Sequence, residues 1–160
     1  MISDAKLKQL QPEHFHSMTE IMVRYRDLDT FNHVNNAVYF SYLESGRLQY
    51  NHKYLGKLID WKERGFILGT NHMIYVHPLF LFDRVRIYTG VGKIGRRSAA
   101  FVNLLTNHEG VHVAYGYSVW WPTILYVNKV LIFLYRGVNV SKKRTGFCWT
   151  CFRNENLIEI

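Results

Sequence analysis

The chain has 160 residues, enough for one domain that hides roughly 68–70% of the surface its unfolded form exposes. Hydrophobic residues at 48% against 20% charged exclude a disordered chain, and 16% aromatics, mostly Tyr and Phe, favour strands. The net charge of +8 admits anionic partners such as nucleic acid, phosphorylated cofactors or a membrane surface without choosing among them. Residues 1–17 are polar and mixed and read as a loose lead-in. From Met18 to Tyr25, Ile21, Val23 and Tyr25 alternate with Glu20, Met22 and Arg24, which predicts a strand.

A polar turn follows, and then Ala37 to Tyr54 runs without proline. Within it Tyr39, Tyr42, Leu43, Gly46 and Tyr50 keep three/four spacing, as one face of a helix does. Gly46 weakens that helix, so it is read as a point of close packing against a neighbour. Further strands are predicted at Gly65–His77, ended by Pro78, and at Arg84–Val91, Arg97–Thr106 and Val111–Trp120. Asn107–Gly110 is the turn before the last of these, in which Val111, Val113, Tyr115, Tyr117 and Val119 share one face. A strand, a long helix and four strands joined by short turns predict an α+β fold, mostly antiparallel, around the helix.

After Trp121-Pro122 the character changes, so the domain is drawn at 18–121 and residues 122–160 form an atypical apolar and basic extension. Residues 1–121 carry 14 Lys/Arg against 10 Asp/Glu, and residues 122–160 carry 6 against 2, so nearly a quarter of the chain supplies half of the excess charge. Ile124–Tyr135 is almost wholly apolar, yet shorter than the ~20 residues that span a bilayer. Three readings of this tail stay open: packing on the core or on a neighbouring subunit, contact of Lys142, Lys143 and Arg144 with anionic lipid, or a shifted reading frame. Cys148 and Cys151 form a lone CxxC, and the eight histidines are scattered, so no metal site is predicted. Two cysteines imply no disulfide framework, and MISDAKLKQLQPEHF has neither an apolar signal core nor an Arg-rich pattern; the cytoplasm is the expected location.

The densest chemistry lies in RYRDLDTFNHVNNAVYF, Arg24 to Phe40. It is either a polar turn with a good helix cap or a catalytic carboxylate aimed at a helix start. The run Asp27-Leu-Asp29-Thr-Phe-Asn-His33-Val-Asn-Asn36, followed by Tyr39, Tyr42 and Glu44, resembles the 4-hydroxybenzoyl-CoA thioesterase family of hot-dog-fold proteins. Ile74–Pro78 with Asp83, and Ile94–Ser98, extend the resemblance over roughly Thr19 to Trp121. It implies a long helix wrapped by a five-stranded antiparallel sheet, assembled as dimers or tetramers with active sites at the subunit interface. The activity implied is metal-free hydrolysis of fatty-acyl or aryl-CoA thioesters, with coenzyme A as part of the substrate and no further cofactor.

By motif position the catalytic carboxylate falls on Asp29, and the backbone N–H that polarises the thioester carbonyl falls at or near Asn36. That pairing is chemically sensible. Hydrolysis needs a base or carboxylate nucleophile, and the first turn of a helix offers free N–H groups and partial positive charge to an oxyanion. An Asp that merely caps its own turn is the plainer alternative. Asp27 is read as an ion-pair partner of Arg24 or Arg26. His33 either contacts the thioester carbonyl and water or is a satisfied turn histidine. Asn35 is expected to orient Asp29 or substrate, and Asn36 to cap the helix. Glu44, on the helix, is a rival base, with an i,i+3 ion pair to Arg47 as its ordinary role. Arg96, Arg97 and Ser98 either hold the CoA phosphates or form a solvated turn. Phe82 stands where relatives usually have a small turn residue. Rival functions are hydrolysis of acyl carrier protein thioesters and non-catalytic acyl-CoA binding; no nucleic-acid motif is present.

Overall fold

A computed structural model describes residues 2–55, 64–95 and 98–124. Its elements are α1 (Asp4–Leu7), β1 (Ser17–Met22), α2 (Val38–Leu55), β2 (Arg64–Tyr75), β3 (Arg84–Ile94), β4 (Ala99–Thr106) and β5 (His112–Ile124). The five strands form one antiparallel sheet in the order β1-β3-β4-β5-β2, curled around α2. This is the α+β hot-dog arrangement. Residues 56–63, Arg96, Arg97 and the tail beyond Ile124 lie outside the described residues, so the readings of the CoA-phosphate arginines, the apolar run and the CxxC fall there too.

α2 exists because its apolar stripe is buried: Tyr39, Tyr42, Leu43 and Tyr50 are each at most 2% exposed. Gly46 sits where the helix presses on β3. A Cβ there would come within 2.5 Å of Thr89 Oγ1 and 2.7 Å of Ile87 Cγ2. The same closeness recurs where Gly116 of β5 gives room to Leu43, whose Cδ1 lies 2.6 Å from the point a Cβ would occupy.

Four expectations are corrected. The first strand stops at Met22, and Tyr25 is 82% exposed in a short 3₁₀ turn, because Asp27 draws the chain into that turn. The lead-in is packed, not loose: Leu7 and Leu10 are buried against Val102, Leu104, Tyr115 and Tyr117 on the sheet face away from α2. Third, the last strand does not hold five residues on one face. Leu105 pairs with Ala114 but Thr106 with His112, so Val113 is an extra residue that reverses the alternation. Val113 packs with the α2 core, whereas Tyr115, Tyr117 and Val119 lie under α1, and Val111 is exposed.

The fourth concerns the 121/122 boundary. β5 runs on through Pro122, which pairs with Phe66 of β2. A proline is tolerated there because β4 has already ended at the Ala99–Trp120 pair, so no β4 carbonyl needs its missing N–H. No helix among the described residues is long and apolar enough to cross a membrane.

Candidate active site

Between β1 and α2 the chain folds into a small polar hairpin. Leu28 bridges Val34, the Asp29 N–H donates to the His33 carbonyl at 2.9 Å, and the Asn35 N–H donates to the Asp27 carbonyl at 2.9 Å. Asn32 makes the reversal at φ 61°, a conformation that Asn tolerates better than most residues. The Val34 N–H, donated to the Leu79 carbonyl at 2.8 Å, ties the hairpin to the loop before β3.

Asp27 is the anchor. Its buried carboxylate accepts the Arg24 backbone N–H at 2.9 Å, the Arg24 guanidinium through Nε and Nη2 at 3.2 Å each, and the Tyr42 hydroxyl at 3.0 Å. Burial pushes its carboxyl up, but these donors outweigh burial and hold it below the ordinary carboxylate range. Tyr42 is pushed upward, chiefly by burial and then by the bond to Asp27. The structural reading of Asp27 therefore stands, with Arg24 as its main partner.

Asp29 faces the other way, with its side chain 21% exposed. Oδ1 accepts the Phe31 N–H at 2.8 Å, and Oδ2 lies 3.2 Å from His33 Nδ1. His33 is partly exposed and stacks on Phe31 at 6.0 Å. The carboxylate thus retains lone pairs for a ligand, beside an imidazole that can orient it.

The helix start differs from expectation in one respect. Asn35, and not Asn36, caps it: Asn35 Oδ1 accepts the Ala37 N–H and the Asn35 carbonyl accepts the Val38 N–H, both at 2.9 Å. The Asn35 amide oxygen is therefore occupied with the backbone, and its carboxamide makes no bond to Asp29. Asn36 is exposed, its carbonyl accepts the Tyr75 hydroxyl at 2.8 Å, and its own N–H has no acceptor among the described residues. A free N–H at a helix start is the donor that an oxyanion requires.

Glu44 is exposed on α2, apart from this hairpin, and makes no ion pair with Arg47. Arg47 instead turns inward, 5% exposed, with its guanidinium 4.8 Å from the centre of the Trp120 ring. Burial lowers it to about 10, still cationic at neutral pH. Ser98, just before β4, accepts the Gly95 N–H on its carbonyl at 2.8 Å. Phe82 holds φ 68° and is 70% exposed, so a bulky residue occupies a left-handed position better suited to Gly. The roles of Tyr42 and Tyr75 went unread in the sequence. They reach Asp27 and Asn36 across 15 and 39 residues, separations that no local spacing reports.

Comparison with known proteins agrees with this fold. YsmA of Bacillus subtilis (strain 168), a protein described as uncharacterized, is 27% identical over 96 residues, which are 60% of this chain and 65% of that protein. The match thus spans just under two thirds of the curated relative's length. Among solved structures, the probable thioesterase YbaW of Escherichia coli has a TM-score of 0.64 and 26% identity, over 72% of this chain and 89% of that one. A thioesterase of Thermus thermophilus, solved with coenzyme A and Zn, has a TM-score of 0.59 and 33% identity, over 68% of this chain and 80% of that one. The family model for the thioesterase-like superfamily matches residues 23–120, a span that opens just before the Asp27 anchor and closes in β5; the chain belongs to the thioesterase-like superfamily.

Proposed function

We propose that this chain is an acyl-CoA thioesterase that splits a fatty-acyl or aryl-CoA into free acid and coenzyme A, in the manner of the 4-hydroxybenzoyl-CoA thioesterases. The observation that carries the reading is the junction of hairpin and helix: a partly exposed Asp29 carboxylate beside His33, followed by an unpartnered Asn36 N–H at the helix start. Asp29 takes a proton from water, and the resulting hydroxide attacks the thioester carbon. Charge gathers on the carbonyl oxygen, which the Asn36 N–H receives. The C–S bond then breaks, the thiolate leaves, and the proton held by Asp29 returns to it. Direct attack by the carboxylate, through a mixed anhydride that water then opens, uses the same groups.

In this reading His33 steadies Asp29, and Asn35 acts through the helix cap. Arg96 and Arg97, with Ser98, are assigned the CoA phosphates; coenzyme A bound to the Thermus thermophilus thioesterase supports a CoA ester as the substrate. Coenzyme A enters as part of the substrate, and base and oxyanion donor come from the chain itself. A homo-oligomer in the cytoplasm completes the proposal.

The test is release of free thiol from a panel of fatty-acyl and aryl-CoA esters. Asp29→Asn is expected to lower kcat by about 10²–10⁴, the usual worth of a placed acid–base group, with KM little changed. Glu44→Gln is expected to retain activity. Full activity in Asp29→Asn with loss in Glu44→Gln would transfer the role to the helix carboxylate. Tight CoA-ester binding without any hydrolysis would leave a binding module.

A further inference from the structure

Tyr75 reaches the helix start without a part in the reaction above. It is the last residue of β2, and its hydroxyl donates to the Asn36 carbonyl at 2.8 Å. The peptide that carries this carbonyl is held at its other end as well, since the Ala37 N–H donates to Asn35 Oδ1 at 2.9 Å. The preceding peptide is held through the Asn35 carbonyl, which accepts the Val38 N–H at 2.9 Å. Asn36 thus stands between two peptide planes, each fixed by hydrogen bonds. The polar group those planes leave over is the Asn36 N–H, which has no acceptor among the described residues.

Tyr75 offers that peptide a firm base. Its ring meets the buried Tyr39 of α2 edge-on, with centroids 5.1 Å apart. Its backbone pairs with Ala114, and the Val76 and His77 N–H groups both donate to the Val113 carbonyl, at 2.9 and 3.2 Å. The extra residue in β5 therefore also pins the chain just beyond Tyr75. Burial pushes the phenol upward from its ordinary value, so it remains an O–H donor at neutral pH. Without this hydroxyl, the exposed peptide between Asn36 and Ala37 keeps Asn35 Oδ1 as its one partner among the described residues. A donor for an oxyanion works by being aimed before the reaction begins, and a misplacement of about 1 Å can cost about 10²-fold in rate.

We propose that Tyr75 is a positioning residue: its hydroxyl locks the Asn36–Ala37 peptide and so aims the Asn36 N–H at the thioester oxyanion. The proposal rests on the thioesterase reading above and adds a residue to that site. Tyr75 acts through Asn36 and touches no reacting atom.

The experiment measures thiol release from octanoyl-CoA and benzoyl-CoA by the native chain, Tyr75→Phe and Tyr75→His. Tyr75→Phe keeps the ring against Tyr39 and removes the hydroxyl alone. Tyr75→His keeps a ring that stops short of the Asn36 carbonyl, and it decides the matter if Tyr75→Phe fails to fold. Each is expected to lower kcat by about 10–100-fold, with KM within about twofold of native. Amide hydrogen exchange gives a second readout: Ala37 should exchange roughly fivefold faster or more, as its peptide loses one hydrogen bond, while β4 keeps native protection. In an Asn35→Ala background, which frees the other end of the same peptide, Tyr75→Phe should cost little more. Native kcat in a folded Tyr75 variant overturns the proposal, whatever its Tm, and leaves Tyr75 a tether between sheet and helix. A loss carried by KM alone, one that multiplies in full with Asn35→Ala, or unchanged Ala37 exchange overturns it as well. If the native chain hydrolyses neither ester, the thioesterase reading fails on its own, and the Ala37 amide decides the lock: faster exchange in Tyr75→Phe supports it, and unchanged exchange overturns it.

Discussion

Two carboxylates two residues apart stand in opposite surroundings, Asp27 buried and Asp29 partly exposed. Asp27 is buried among donors, and its lowered proton affinity is a stability term. The sign follows from the direction of the shift. A carboxyl held below its unfolded value of ~3.9 stabilises the fold at neutral pH and ceases to do so as pH falls through the folded value. Asp27→Asn is therefore expected to cost about 1–3 kcal/mol at pH 7, as charged hydrogen bonds to Arg24 and Tyr42 are weakened. The gap to the native chain should begin to narrow as pH falls below the unfolded value of ~3.9 and close once pH is below the folded value, where the Asp27 carboxyl is protonated in the fold as well. Urea melts at pH 7 and pH 3 check this, and a pH-independent gap would assign Asp27 no such role. At this scale the site was half legible. An Asp beside a His before a helix is visible as residue types, but the choice between Asn35 and Asn36 as cap hinges on one residue of register at the helix start.

At the scale of elements, α2 was readable because a 3.6-residue period survives in the letters, and its glycine announced a close neighbour. The contact is tight enough to test. Gly46→Ala gains about 1 kcal/mol of helix propensity, but its methyl group meets Thr89 Oγ1 and Ile87, and overpacking costs about 1–3 kcal/mol. Thr89 cannot retreat freely, since its hydroxyl accepts Asn103 Nδ2 at 2.8 Å. A net loss of ~1 kcal/mol, measured as a lower urea midpoint with an unchanged slope, is the expected outcome; a gain would mean that α2 stands further from β3. The strand faces were harder to read. Alternation was legible in β5, but the extra residue at Val113 breaks its phase. Two apolar positions that look equivalent in the sequence thus serve opposite faces of the sheet, and an amphipathic four-residue α1 is too short to show a period at all.

At the scale of the whole molecule, the sheet has two edges of unequal character. β1 is six residues long, and its Glu20 is tied to Arg84 and Arg86 at 3.3 Å, so charge covers that edge. β2 is twelve residues long, contains no proline or lysine, and leaves Leu68 and Tyr75 about 40% exposed on the side that faces α2. A long, sparsely charged edge is a template for another strand, and a second copy of the chain is the partner that the proposed homo-oligomer requires. Pairing of β2 with its counterpart would join two sheets and bring two copies of the Asn36–Tyr75 junction toward a common seam. Leu68→Lys puts a cation into that apolar strip, and light scattering should then show the chain at half the native mass at micromolar concentration. Should the sites draw on both subunits, thiol release would fall with the dimer and recover as protein concentration rises. A Leu68→Lys chain that keeps the native mass would instead move the interface to another surface, and activity that stays constant on dilution to monomer would confine each site to one chain.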